Sequence, residues 1–208
     1  MPEEFGFRLA LGVLLASVLA VRIVYQVRAV RNLPKATFLE SRFNMAARAL
    51  AGLTGLAILI LWLAAPQKMR WSALALPEWV RWTGVAIGFL AVLGLVWVHR
   101  ALGGNFSGNL HVQTDHQLVT AGPYRWVRHP MYVVFYGLAL AFFLLTANWF
   151  VGLAWFAVLT LVMLSRVRRE EDVMMERFGD AYREYAARTG RFLPRLRGRQ
   201  RVRRVAET

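Results

Sequence analysis

Long apolar runs separated by short basic or polar stretches set the layout of this chain. The first run extends from about Phe5 to Val27, the second from about Ala49 to Ala65, where Pro66 follows, and the third from about Trp79 to Val98. A helix rises about 1.5 Å per residue and a bilayer's hydrocarbon core is about 30 Å thick, so roughly 20 residues make a span. Each of these runs therefore predicts one transmembrane helix. The last run, Met131 to Leu164, is apolar apart from Thr146, Asn148, Thr160 and a few glycines. It would be about 51 Å long as one helix, which is too long for one span and suits two short ones. Its most polar point, Thr146-Ala147-Asn148, predicts a tight reversal there. The expected fold is all-α, an integral membrane helical bundle of five transmembrane helices ending in a short C-terminal helical hairpin.

Charge then orients the bundle. Lys and Arg number 26 against 12 acids, while 57% of residues are hydrophobic. The basic residues lie between apolar runs, as in membrane proteins with basic cytoplasmic loops; a nucleic-acid binder would need a soluble basic surface. With five spans, the 28–48 loop, the 99–130 loop and the tail from Arg166 share a side and carry five, three and thirteen Lys and Arg, against three in the 66–81 segment. The N-terminus is therefore expected outside, with the C-terminus in the cytoplasm. Arg8 and Arg22 fall near the ends of the first span, where long side chains snorkel to water. Trp62, Trp79, Trp82, Trp97, Trp149 and Trp155 lie near predicted ends and read as an aromatic belt. Residues 1–98 are expected to form the N-terminal spans, 99–194 a catalytic region and 195–208 a basic tail attracted to anionic lipid.

The 99–130 segment carries the candidate chemistry. His99, His111, His116 and His129 all fall inside it or at its edge, beside Asn105, Ser107, Asn109, Gln113, Asp115, Gln117 and Thr120. A polar loop of this length reads as a site at the membrane surface rather than a connector. His111 and His116 are five apart, so they share no helix face; cysteine is absent and Asp115 is the loop's one carboxylate, which argues against a metal. Gly122-Pro123 marks a turn, and Pro130 forces His129 out of helical geometry while opening the next helix. The exposed N–H groups of that helix start, with Arg128 and His129, would suit a carboxylate. Arg166 and Glu170, one helical turn apart, stand where the last span leaves the membrane. An amphipathic stretch with Met174, Met175, Phe178, Tyr182 and Tyr185 follows.

The run His116-x-Leu118-Val119-Thr120-x-Gly122-Pro123-Tyr124-x-x-x-Arg128-His129-Pro130-x-Tyr132 resembles the signature of the isoprenylcysteine carboxyl methyltransferases and the related phospholipid N-methyltransferases. The resemblance continues through Arg166-x-x-x-Glu170-Glu171, Phe178-Gly179-x-x-Tyr182-x-x-Tyr185, Thr189, Arg191, Phe192 and Pro194. It implies a membrane methyltransferase binding S-adenosylmethionine on the cytoplasmic side and releasing S-adenosylhomocysteine. The implied cofactor contacts are His116, Gln117, Leu118, Val119, Tyr124, His129, Pro130, Met131 and Tyr132, with Glu170 closing the pocket and Arg166 meeting the acceptor. Asn109 and His111 fall where another cofactor contact is expected. Val134 departs from the family, which commonly has a small residue there; it would narrow a helix contact or the acceptor route.

Methyl transfer from a sulfonium is an in-line displacement, so the protein mainly positions the reactants and excludes water. A carboxylate acceptor needs no base and can be oriented by Arg166, whereas an amine acceptor must lose a proton, for which Glu170 is the nearest candidate. The partners expected are membrane lipids and a lipophilic small-molecule or lipid acceptor, with no nucleic acid. The alternative enzyme is an NADPH-dependent sterol reductase, a class sharing an Arg-His-Pro-x-Tyr element. Those enzymes usually show a Gly followed by tryptophans before it, where this chain has Gly122-Pro123-Tyr124. A non-enzymatic membrane module or small transporter would need paired polar residues within the spans, and few are present.

Overall fold

In a computed structural model of the chain, residues 2–31, 42–103 and 118–195 are described. Among the described residues there are five α-helices: α1 (Pro2–Arg31), α2 (Arg42–Ala64), α3 (Glu78–Leu102), α4 (Pro130–Thr146) and α5 (Trp149–Arg188). Among the described residues α1, α2, α3 and α5 are long and apolar enough to cross a membrane, and α4 is a shorter apolar helix. The fold is thus the helical membrane bundle that the apolar runs predict. The amphipathic stretch expected after the last span is helical and continues α5 directly from its apolar part, with a kink at Gly179, φ 49° and ψ −121°. This positive-φ geometry strains any residue with a Cβ.

Small residues decide how closely the helices approach. Gly84, Gly88, Ala91 and Leu95 form one buried stripe on α3. A Cβ on Gly84 would lie 2.7 Å from Leu144 Cβ and 2.8 Å from the Leu145 backbone nitrogen, so α3 and α4 touch nearly backbone to backbone. Val134, the residue departing from the family pattern, places a methyl 3.1 Å from where a Gly94 Cβ would stand. It therefore fills the α3–α4 seam, and a glycine opposite accommodates its bulk. Phe7, Leu11, Leu14, Leu59, Phe142 and Leu145 complete the core from the other helices.

The α4–α5 corner falls at Thr146-Ala147-Asn148, as the polarity of the run predicts. Ala147 is left-handed at φ 46°, and the Asn148 side chain caps α5 by accepting from Val151 N at 3.0 Å. The connection after α2 begins with a short 3₁₀ segment, Pro66–Ser72, that packs beneath this corner. Ser72 Oγ lies 3.1 Å from Asn148 Oδ1, and Asn148 Nδ2 donates to Met69 O at 3.0 Å. Nearby, Arg81 donates to Leu145 O at 3.0 Å and to Glu4 at 2.7 Å, with its guanidinium 3.7 Å over the Phe7 ring.

Two expectations change here. Trp62 is buried at 4%, and Trp155 packs against the core with its ring beside Gly55, so neither joins an aromatic belt. Trp79, Trp82, Trp97 and Trp149 are exposed, as a belt requires. Trp62 and Trp155 go inward because Leu59 with Trp62, and Phe142 with Trp155, supply an apolar interior at positions where the run alone cannot distinguish lipid from protein.

Candidate active site

The site lies at the end of the bundle opposite the corner, where α4 begins and α5 emerges. Gly122–Arg125 forms a single 3₁₀ turn that starts with Gly122 at φ 60° against Ala101 and Trp97 of α3. His129 is non-helical, at φ −123° and ψ 60°, and Pro130 opens α4, as the His-Pro pair predicts. On α5, Arg166 and Glu170 stand one turn apart with Arg166 Nε 2.9 Å from Glu170 Oε1. Tyr132 Oη donates to the same carboxylate oxygen at 3.3 Å, and His129 Nδ1 lies 3.6 Å from Oε2. Three residues that the sequence singles out, from two segments, thus converge on the carboxylate of a fourth, Glu170.

A second carboxylate, Glu171, ties the surrounding chain together. It accepts from Arg128 Nε at 3.1 Å and meets His129 Nε2 at 3.2 Å, and Arg191 grips it with two nitrogens. Backbone bonds reinforce the latch: Arg128 N donates to Gly190 O at 2.8 Å and His129 N to Arg191 O at 3.1 Å. Tyr185 Oη, past the Gly179 kink, donates to Tyr124 O at 2.7 Å. The strap after α5 therefore lies across the start of α4 and brings Phe192 to 5.8 Å from the His129 ring and 6.4 Å from the Tyr132 ring, edge-on to the latter.

This arrangement corrects one expectation. Arg128 does not stand open for a cofactor carboxylate, because its guanidinium is committed to Glu171 and to the carbonyls of Ala186 and Thr189. The latch role of Glu171 and Arg191 is not readable from spacing, since the partners of Glu171 lie 43 and 20 residues away. The available signal is the presence of Glu171 and Arg191 in the family-like blocks, which singles both out without pairing them. Tyr124 is half-buried, Pro130 buried, and Leu118, Val119 and Met131 half-buried around the same end. His116, Gln117, Asn109 and His111 lie outside the described residues.

Burial depresses the His129 imidazole below its usual range despite the attraction of Glu170 and Glu171. Burial alone would raise the Glu171 carboxyl, but hydrogen bonds from Arg191, Arg128 and His129 outweigh it and hold the group below 4.5. Both shifts act in one direction. An unfolded histidine takes up a proton below about 6.5 while folded His129 resists it, and unfolded Glu171 is protonated before the folded one. Stability conferred by the latch is therefore full near pH 7, declines as pH falls from about 6.5, and declines further below 4.5. Thermal unfolding of detergent-solubilised protein between pH 7.5 and 4 should show a falling midpoint, and His129→Asn should flatten the upper part of that fall. A midpoint independent of pH would contradict the latch electrostatics.

Residues 84–176 match the family model described as isoprenylcysteine carboxyl methyltransferase (ICMT) family. That stretch contains both the His116–Tyr132 run and the Arg166–Glu171 block. Among curated relatives, the protein-S-isoprenylcysteine O-methyltransferase of Schizosaccharomyces pombe is 38% identical over 80 residues, 38% of this chain and 34% of the relative. The Homo sapiens protein of the same name is 29% identical over 139 residues, 64% of this chain and 47% of the relative. A solved structure of the eukaryotic intramembrane Ras methyltransferase ICMT superposes with a TM-score of 0.53 at 22% identity, covering 75% of this chain and 54% of that one. The chain thus spans about half the length, or less, of these relatives, and shares the intramembrane fold.

Proposed function

We propose that this chain is a member of the isoprenylcysteine carboxyl methyltransferase family that transfers a methyl group from S-adenosylmethionine to the carboxylate of a prenylcysteine-like lipophilic acceptor. The observation that carries this reading is the convergence of Arg166, Tyr132 and His129 on Glu170 beneath the Phe192 strap. The curated relatives with methyltransferase names support it.

The donor set fits the cofactor. Aromatic rings of Tyr132 and Phe192 beside the Glu170 side chain suit a sulfonium cation, and a carboxylate of the cofactor would be met by the α4 start at His129-Pro130 rather than by Arg128. Leu118, Val119, Tyr124, Pro130 and Met131 would line the rest, together with His116 and Gln117. When bound, S-adenosylmethionine supplies an electrophilic methyl group. The residues of the chain do the remainder. Arg166 presents a guanidinium that orients an acceptor carboxylate by paired hydrogen bonds, Glu170 fixes that guanidinium and Tyr132, and the strap keeps water out.

A carboxylate acceptor needs no proton removed. An amine acceptor would need Glu170 as base, yet this carboxylate already receives Arg166 and the Tyr132 hydroxyl, so the geometry favours the carboxylate. The amine and NADPH-reductase readings find no support among the relatives above. The site is assigned to the cytoplasmic side, with the N-terminus outside, on the distribution of Lys and Arg.

The test is transfer of labelled methyl by purified protein in nanodiscs containing phosphatidylethanolamine, with an S-farnesylcysteine derivative added. Label should enter the prenylcysteine as a methyl ester that alkali releases as methanol. Label confined to phosphatidylethanolamine, or stabilisation by NADPH and not by S-adenosylhomocysteine, would overturn the assignment.

A further inference from the structure

We propose that Arg22 of α1 is a positioning residue for the acceptor's anionic group, acting with Arg166 across the bundle. The inference rests on the methyltransferase reading and extends its machinery to a helix lying outside the stretch matched by the family model.

An arginine near the end of a span ordinarily reaches out to water. Arg22 instead turns inward. It is half-buried, and its guanidinium carbon lies 5.8 Å from the centroid of the Phe135 ring on α4. Phe135 is three residues beyond Tyr132, hence on the same face of α4 as the hydroxyl that meets Glu170. Tyr25, one turn further along α1, stacks at 4.5 Å on His99 of α3, so this face of α1 is held against the bundle.

No carboxylate pairs with Arg22 among the described residues. Its charged neighbours are Arg166 and Arg48, and both of these also act on Tyr132. Glu170, the carboxylate on which Tyr132 and Arg166 meet, is already engaged by those two side chains. A cation seated in a membrane bundle without an acid of its own is costly unless an anion completes it, and such a group marks a ligand. Arg22 reaches this place from α1, whose neighbouring Leu19, Ile23 and Val24 are exposed apolar side chains that suit contact with a lipophilic acceptor. The cofactor residues, by contrast, come from the 118–132 segment and the strap. A carboxylate held between the Arg22 and Arg166 guanidinium groups would present its oxygen beside Glu170 and Tyr132. The acceptor's carboxylate is therefore the anion assigned to Arg22.

The experiment uses full-length protein in nanodiscs with S-adenosylmethionine, an S-farnesylcysteine carboxylate as acceptor, and the matching carboxamide as competitor. Arg22→Gln should raise KM for the carboxylate about tenfold or more, the scale of a lost charge-assisted hydrogen bond, and leave the inhibition constant of the carboxamide unchanged. Thermal stabilisation by S-adenosylhomocysteine should persist, which also reports that the variant folds. Arg22→Lys keeps the charge but loses the fork, and should give an intermediate KM. An unchanged carboxylate KM in both variants overturns the inference, as does equal loss of carboxylate and carboxamide binding. Loss of S-adenosylhomocysteine binding by folded Arg22→Lys overturns it too, because the anion is then the cofactor's. If wild-type protein esterifies no prenylcysteine, the preceding reading falls and this one with it; esterification by wild type with unaltered variants sinks this one alone.

Discussion

Glu170→Ala is expected to lower methyl transfer by about a hundredfold or more while the protein still folds. The carboxylate holds Arg166 at 2.9 Å and Tyr132 at 3.3 Å and lies 3.6 Å from His129. Removing it frees all three at once, and misplacement of reacting groups by about 1 Å already costs roughly 10²-fold. The effect should appear both in kcat and in S-adenosylhomocysteine binding, since the proposed function sets Glu170 beside both reactants. Folding should survive because the latch rests on the other carboxylate, Glu171, whose bonds to Arg128, His129 and Arg191 do not involve Glu170. Labelled-methyl kinetics alongside a thermal melt would separate these outcomes. Activity within a few-fold of wild type would remove Glu170 from the mechanism.

The second large effect concerns stability. Gly84→Leu should destabilise the bundle by about 3 kcal/mol or more, the upper range for overpacking a close-packed interior. A Cβ there meets the Leu145 backbone nitrogen at 2.8 Å and the Ala141 carbonyl at 3.1 Å, and backbone cannot swing aside as a side chain can. Gly88 is less critical because its nearest neighbour is the tip of the flexible Leu14 side chain. Gly12→Leu and Gly52→Leu serve as controls, since nothing lies within 4 Å of a Cβ at either position. Thermal unfolding in detergent should show a large loss for Gly84→Leu alone. Equal losses at all three positions would mean that intrinsic helix preference, not the α3–α4 seam, sets the stability.

Much of this was legible in the sequence, for identifiable reasons. Apolar length alone predicts five helices, and the polarity of Thr146 and Asn148 places the corner correctly. Proline stereochemistry gives the His129-Pro130 boundary. Arg166 and Glu170 were readable as a pair because one helical turn separates them. What escaped are contacts between segments far apart in the chain: Arg128 with Glu171, Tyr185 with Tyr124, and Arg22 over Phe135. Such pairings depend on how helices rotate about their axes, and in a nearly uniform apolar run that rotation leaves little periodic trace. The inward Trp62 and Trp155 escaped for the same reason.

The α4–α5 corner has a consequence for the membrane itself. Seventeen residues make α4 about 26 Å long, a few ångströms less than a typical hydrocarbon slab. A helix that short, crossing the slab, would bring its reversal close to hydrocarbon, where unsatisfied backbone is not tolerated. Its carbonyls are met from within: Leu74 N reaches Ala147 O at 2.7 Å, and Arg81 takes Leu145 O. With those polar atoms supplied internally, the corner does not depend on water for these bonds, so its depth is not fixed by a need to hydrate them. A bilayer thinner than the longer helices span would thus leave the hairpin's backbone as well satisfied as a thick one.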